Sequence, residues 1–268
     1  MQFAKIESSL CGLKGISLLS FLLVSNVGAV NIVLAYEDEA NFFAGNGSAK
    51  AAVDQAAADI SNALTSTLSS LATDTYNGSS GSASATADWS FNYTEPSSGS
   101  SITLASPHIT PGFGADEIII YVGMRNLGGT TLGQGGPGGG GAGLSTIGGA
   151  NFGQAVDNLE AASNAALLRG GGPVIATLSG DVGGEDIVLK YGVFLGNLWF
   201  DSDTNNDAAT DTPMELGLSW HYDHTVAVGS GLSDLYTVAL HEILHAVGFG
   251  GSETWNDTVS GTSWTGAE

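Results

Sequence analysis

The sequence predicts an α+β fold, a twisted mixed sheet with packed helices, one of which carries polar residues suited to chemistry. Three observations lead there. The run Glu117-Ile118-Ile119-Ile120-Tyr121-Val122-Gly123 is β-branched and continuous, as a buried strand requires. Segments 48–72 and 155–168 carry apolar residues at helical spacing. Strand and helix patterns then follow one another in the order β-α-β-β-β-α-β-α, which suits a mixed sheet covered by helices.

Each element has its own signal. Asn31-Ile32-Val33-Leu34-Ala35-Tyr36 reads as a first buried strand, and Glu37 to Gly47 as a polar connection. Val53, Ala56, Ala57, Ile60, Ala63, Leu64, Leu68 and Leu71 fall on one helical face, and the alanine content favours a long helix. Tyr76 to Thr86 is rich in Ser and Gly and reads as a loop. Strands are expected at 89–93, 101–104 and 117–123. Gly128 to Gly153 is dense in glycine and reads as a mobile surface loop. It is no phosphate cradle of the P-loop kind, because no Gly-Lys-Ser/Thr follows and Arg125 lies before it. Val156, Leu159, Ala162, Ala166 and Leu167 mark the second helix. Further strands are expected at 174–178, 186–189 and 193–200, and no repeat of fixed period is present.

The N-terminus carries a targeting signal. Lys5 and Lys14 precede the apolar stretch Ile16 to Val24, and the small-residue site Val27-Gly28-Ala29 follows. That layout is a secretory signal peptide over residues 1–29, with the functional domain in 30–268 and a secreted, extracellular location. Cleavage also removes Cys11, the only cysteine, so the exported chain holds no disulfide.

Charge narrows the function classes. The 268 residues contain 6 Lys+Arg and 27 Asp+Glu, a net charge of -21. Nucleic-acid binding needs a basic footprint, so it is excluded, and adhesion to an anionic membrane is disfavoured. A soluble protein able to hold cations fits best.

The chemistry is concentrated near the end. Ser233 to Gly248 reads as a helix, with Ser233 as its cap, Asp234 complementing its dipole and Gly248 ending it in the left-handed conformation. On it stands His241-Glu242-Ile243-Leu244-His245. His241 and His245 lie one turn apart on one face and can share a zinc ion at about 2.0–2.1 Å. Glu242 adjoins the first ligand, so its carboxylate can reach an attacking water, take its proton and return it to a leaving amine. Two histidines and a carboxylate among Leu, Val, Ala and Ile are otherwise costly; a hydrogen-bonded polar trio in the core is the plain structural alternative.

His241-Glu242-Ile243-Leu244-His245-Ala246-Val247-Gly248-Phe249-Gly250 resembles the active-site helix of the metzincin zinc peptidases, His-Glu-x-x-His-x-x-Gly-x-x-His/Asp. The wider layout is similar to secreted bacterial metallopeptidases of that type at Glu117–Gly123, Leu132–Gly139, Leu198–Asp201 and Trp255. The resemblance implies a zincin-like catalytic domain with a cleft between sheet and helix. It further implies endopeptidase action on a protein or peptide substrate extended along an edge strand. It also implies a third zinc ligand after the glycine, where this chain has Gly251. Three explanations stand. In leishmanolysin-like members the third histidine follows a long insertion, which would make the domain incomplete at its C-terminus. His221, His224, Glu253 or Asp257 could complete the site instead. Or the site is degenerate, and the protein is a catalytically inactive, exported, acidic calcium-binding or surface protein. Zinc-assisted hydrolysis of a non-peptide bond is a further option. His221 and His224 also read as plain loop residues, and His108 as structural.

Asp201-Ser202-Asp203-Thr204-Asn205-Asn206-Asp207, followed by Asp211, places oxygens at alternating positions like the opening of a calcium loop. Counted from Asp201 it fails as an EF-hand, with Asn206 at the glycine position and Thr212 at the bidentate glutamate position. A looser Ca2+ loop and a solvated acidic loop remain as readings, the solvated loop being favoured.

Overall fold

The computed structural model describes residues 30–36, 42–43, 45–71, 73–105, 113–170, 172–261 and 263–265. Residues 1–29, read from the sequence as a signal peptide, and His108 lie outside these residues, as does much of the connection 37–47. The fold is mixed α and β, built on a twisted mixed sheet. Strand β1 (Asn31–Tyr36) pairs in parallel with β5 (Glu117–Arg125), and β5 in parallel with β10 (Leu195–Asp201). Strand β6 (Gly133–Pro137) closes the order β1-β5-β10-β6 as an antiparallel edge. Ile118, Ile120 and Val122 point into the core from β5, and all seven residues of β10 are buried. Among the described residues no helix is long and apolar enough to cross a membrane.

A second, antiparallel sheet centres on β3 (Ala83–Thr94), flanked by β2 (Thr75–Ser80), β4 (Ser101–Ala105) and β7 (Gly139–Ile147). The supposed loop 76–86 is therefore most of a hairpin. Its inward positions are Tyr76, Gly78, Ala83 and Ala85, of which the last three are small, and Gly78 admits helix α2 (Phe152–Leu167) at backbone distance. A Cβ at Gly78 would stand 2.1 Å from the Ala155 carbonyl oxygen. The supposed mobile glycine loop 128–153 is likewise ordered as β6 and β7. Gly138 joins them, its N–H donating to the Leu195 carbonyl at 2.8 Å, while Gly140 lies against the Tyr191 ring. Glycine here serves close packing across two sheets, which composition alone reads as flexibility.

Helix α1 (Gly47–Ala63) is capped by Asn46, whose side chain accepts from the Ala49 N–H, and buries Ala49, Ala52, Val53, Ala56, Ala57 and Ile60. It stops at Leu64, short of the expected end near residue 72. The segment beyond spends its backbone on tertiary bonds: Leu68 N–H donates to the Asp116 carboxylate, and Leu71 pairs with Phe113. Strands β8 (Ala176–Val182) and β9 (Glu185–Tyr191) form a separate hairpin.

Arg169 locks the starts of β5 and β10 together. Fully buried, it donates to the carbonyls of Ser69, Gly114, Glu117 and Val193. Burial pushes its guanidinium pKa down to about 10, with Glu117 and Asp116 opposing the shift.

Gly78→Ala is expected to destabilise the protein by about 3 kcal/mol, because the obstructing atoms are helix backbone that cannot rotate away. Gly180→Ala, whose new methyl group would meet no neighbouring heavy atom, should stay within about 0.5 kcal/mol. Urea denaturation of both variants measures the difference.

Candidate metal centre

Helix α3 (Pro213–Ser219) opens on a capping box between Thr212 and Glu215, a signal present in the sequence as Thr-Pro-Met-Glu. Short strands β11 (Trp220–His221) and β12 (Ser233–Asp234) then deliver the chain to helix α4 (Leu235–Ala246). The cap of α4 is Asp234, one residue later than expected; its side chain accepts from Thr237 N–H, while Ser233 stays in β12. Leu235, Ala239, Ile243 and Ala246 face the core.

The helix lies on a floor of glycines. A Cβ at Gly133 would sit 2.7 Å from Val238 Cγ1, and one at Gly135 would sit 2.3 Å from the Glu242 carbonyl oxygen. On β10, a Cβ at Gly196 would meet the Ala246 methyl at 2.9 Å. The half-buried Glu242 side chain therefore runs beside edge strand β6, whose other edge has no strand partner among the described residues.

On the same helix His241 and His245 converge. Their Nε2 atoms are 3.1 Å apart and their rings are perpendicular. Two nitrogens at tetrahedral positions around one zinc would be about 3.3 Å apart. His245 Nδ1 is 2.7 Å from the Phe249 carbonyl oxygen. A carbonyl only accepts, so Nδ1 carries the proton and the Nε2 lone pair faces His241. That outer hydrogen bond is the usual way a metal-binding imidazole is fixed. The pair therefore fits a zinc ion.

The turn after α4 supplies that carbonyl. Gly248 adopts φ +111°, its N–H donates to the His245 carbonyl, and Phe249 N–H reaches back to the Leu244 carbonyl. This is a Schellman ending on the expected glycine. Gly250, at φ +77°, lets the His245 ring lie against the backbone, since a Cβ there would touch Cε1 and Nδ1 at 3.0 Å.

The remaining candidates lie apart. Gly251 is exposed and faces open space. His221 Nε2 is bound within its own loop to the Asp223 carbonyl at 2.8 Å, and His224 stacks on Tyr236 near the opposite end of α4. The Glu253 carboxylate is taken by the backbone and hydroxyl of Thr177, tying helix α5 (Glu253–Thr258) to β8. Asp257 is exposed on α5. Among the described residues no group of three or more His, Cys, Asp or Glu converges on a metal position. Around the start of α4, Tyr236 is held above its usual pKa by donating to Asp59, and burial pushes Tyr222 up to about 12. Asp223 is lowered by hydrogen bonds from Thr225.

The acidic segment is not a solvated loop throughout. Asp201, Asp203 and Asp211 are buried, while Asn205 to Thr210 are exposed. Sequence reasoning finds neither the Phe249 carbonyl nor the glycine floor. A backbone carbonyl has no residue-type signal, and a glycine-dense strand reads as a flexible loop.

No protein-family model matches the chain, and no curated protein or solved structure matches it significantly.

Gly250→Ala is expected to cost about 2 kcal/mol, from left-handed strain and displacement of the His245 ring. Gly251→Ala should be near neutral, having room and no positive φ. Parallel chemical denaturation of the two variants checks the contrast.

Proposed function

We propose that the protein is a secreted zinc-dependent endopeptidase of metzincin type. The observation that carries this reading is the convergence of His241 and His245 Nε2 at 3.1 Å, with His245 held by the Phe249 carbonyl. Zinc bound there would bring the pKa of a water toward about 7 and polarise a substrate carbonyl. Glu242, adjacent to the first ligand and beside β6, accepts the proton of the attacking water and returns it to the departing amine. Edge strand β6 offers unpaired backbone to an extended peptide, which adds as a further strand and so brings its carbonyl to the histidine pair. The acidic chain disfavours nucleic acid as substrate.

A second reading is favoured by one observation: the third-ligand position is Gly251, and among the described residues no third ligand converges on the pair. On it the helix is a relic and the protein is an exported acidic binding or surface protein.

Glu242→Gln should lower casein hydrolysis by roughly 10²–10⁴-fold with zinc content unchanged. His245→Ala should lose the zinc itself. Equal activity in Glu242→Gln would refute the mechanism, and absence of chelator-sensitive hydrolysis in the wild type would favour the relic.

Gly251→His tests the ligand set separately. The position has space and an ordinary φ, so an imidazole there should slow zinc loss to a competing chelator. Unchanged zinc release would mean that the turn after α4 does not face the metal.

A further inference from the structure

We propose that the loop Asp203–Asp211 binds a calcium ion, in a frame two residues later than the sequence first suggests. Counted from Asp203, the oxygen-bearing residues fall at positions one, three, five and nine: Asp203, Asn205, Asp207 and Asp211. Position six, where calcium loops need a sharp turn, is Ala208 at φ +69°. Asn206 is left-handed as well, at φ +59°, so the frame rests on Asp201, whose Oδ1 is already taken by the Leu127 and Asp203 N–H groups. The Asp203 carboxylate accepts from the N–H groups of Asp207 and Ala208, and Asp207 accepts from Ala209. The loop is thereby wound with its position-seven carbonyl, Ala209, available as in known calcium loops.

The pattern would remain an acidic cluster without a second observation, which Asp211 provides. It is only 6% exposed, and one carboxylate oxygen, Oδ2, accepts from the backbone and hydroxyl of Thr204 inside the loop. The other oxygen, Oδ1, is buried with no hydrogen-bond partner. A buried, unpaired carboxylate oxygen is costly and calls for a cation. Asp211 also lines a pocket with Asn126, Ser202 and Thr210, whose far wall is Phe42, Met124 and Leu216. Arg125 also lines this pocket, but its guanidinium lies over the Trp199 ring at 4.1 Å.

Calcium fits better than a transition metal, because every donor is oxygen and carbonyls and water complete a shell of six to eight. Among the described residues no three carboxylates converge, so the ion would start from Asp211 Oδ1, with Asp207, Asn205 and the Ala209 carbonyl closing on it as it binds. Position twelve is Met214, and Glu215 is spent on the capping box. Without a bidentate glutamate, affinity falls in the weak range of extracellular modules, about 10⁻⁴–10⁻³ M.

The ion would act on the edge strand. Asp203 Oδ2 accepts from the Asn126 side chain at 2.5 Å, Asp201 Oδ1 accepts from Leu127 N–H at 2.9 Å, and Asp201 N–H donates to the Leu132 carbonyl. Stiffening this loop fixes the 126–132 connection from which β6 springs.

The test is thermal unfolding of the full protein, dialysed against metal-free buffer, with and without 10 mM calcium. The expected rise in Tm is about 3–10 °C, with a smaller rise in magnesium. Asp211→Asn should fold with a Tm at or above the calcium-free wild type, since an amide can donate where Oδ1 has no partner, yet lose the calcium shift. Asp207→Asn, exposed and safe for folding, should reduce the shift, and Asp181→Asn should keep it. No calcium shift in the wild type, or an undiminished shift in Asp211→Asn, overturns the proposal.

Discussion

The approach of helix α4 to the sheet governs this structure. A helix ordinarily stands off a sheet by the thickness of two layers of side chains, about 10 Å. Here Gly133, Gly135 and Gly196 remove the lower layer, and the Glu242 carbonyl and Ala246 methyl come down onto strand backbone. Two consequences follow. The edge strand is forced to be glycine-rich, so β6 has few side chains to shield its outer edge. The polar face of α4 is brought beside that strand, so Glu242 lies over Gly133 and Gly135. Dispersion across a close backbone contact compensates for the missing side-chain burial, in the way small residues allow close approach elsewhere.

The end of α4 is tied to the same geometry. A Schellman turn satisfies the last helical carbonyls and throws the next peptide back over the final turn. Phe249 thereby presents its carbonyl to His245 Nδ1, and Gly250 gives the ring room. Termination of the helix and orientation of the imidazole are one local event. A helix ending on a non-glycine residue would pay for left-handed backbone and lose the carbonyl that fixes the tautomer.

How much of this the sequence displays depends on which atoms carry the information. β1 begins and ends where its apolar run does, and the β5 run 117–123 lies wholly within the observed strand, because β-branched residues report burial directly. The His-Glu-x-x-His spacing is legible for a similar reason: side chains four apart on a helix meet. Helix α1 reads too long because Thr65-Ser66-Thr67 precedes a segment held by the distant partners Asp116 and Arg169, which local periodicity does not encode. The hairpin and β6–β7 stay hidden because glycine marks both a free backbone and a tightly crossed one. On the proposed calcium site, the acidic segment reads two residues out of frame. Asp201 looks like a first ligand, yet its carboxylate turns to Leu127, and the left-handed residues are Asn206 and Ala208, where no glycine announces them.

Charge explains why the two candidate metal positions are built so differently. Only 6 basic residues stand against 27 acidic ones, and Arg169 is fully buried on carbonyls, while Arg125 lies over an aromatic ring. Cations for carboxylates are therefore scarce within the chain. Asp201 and Asp203 solve this with backbone amides that donate to their buried carboxylates. Asp211 is half solved, with Thr204 on one oxygen and nothing on the other. The histidine pair is built the other way: its Nε2 atoms stand 3.1 Å apart, a spacing that one proton or one metal ion can bridge. At one place a carboxylate oxygen lacks a partner among the described residues, and at the other, two imidazole nitrogens face each other. Both places flank β6, the acidic loop at its root through residues 126–132 and the histidine helix along its face. An edge strand poor in side chains has little of its own to hold it in place. Its order depends on what lies at its root and beneath it, so ions at either place would act on the same strand.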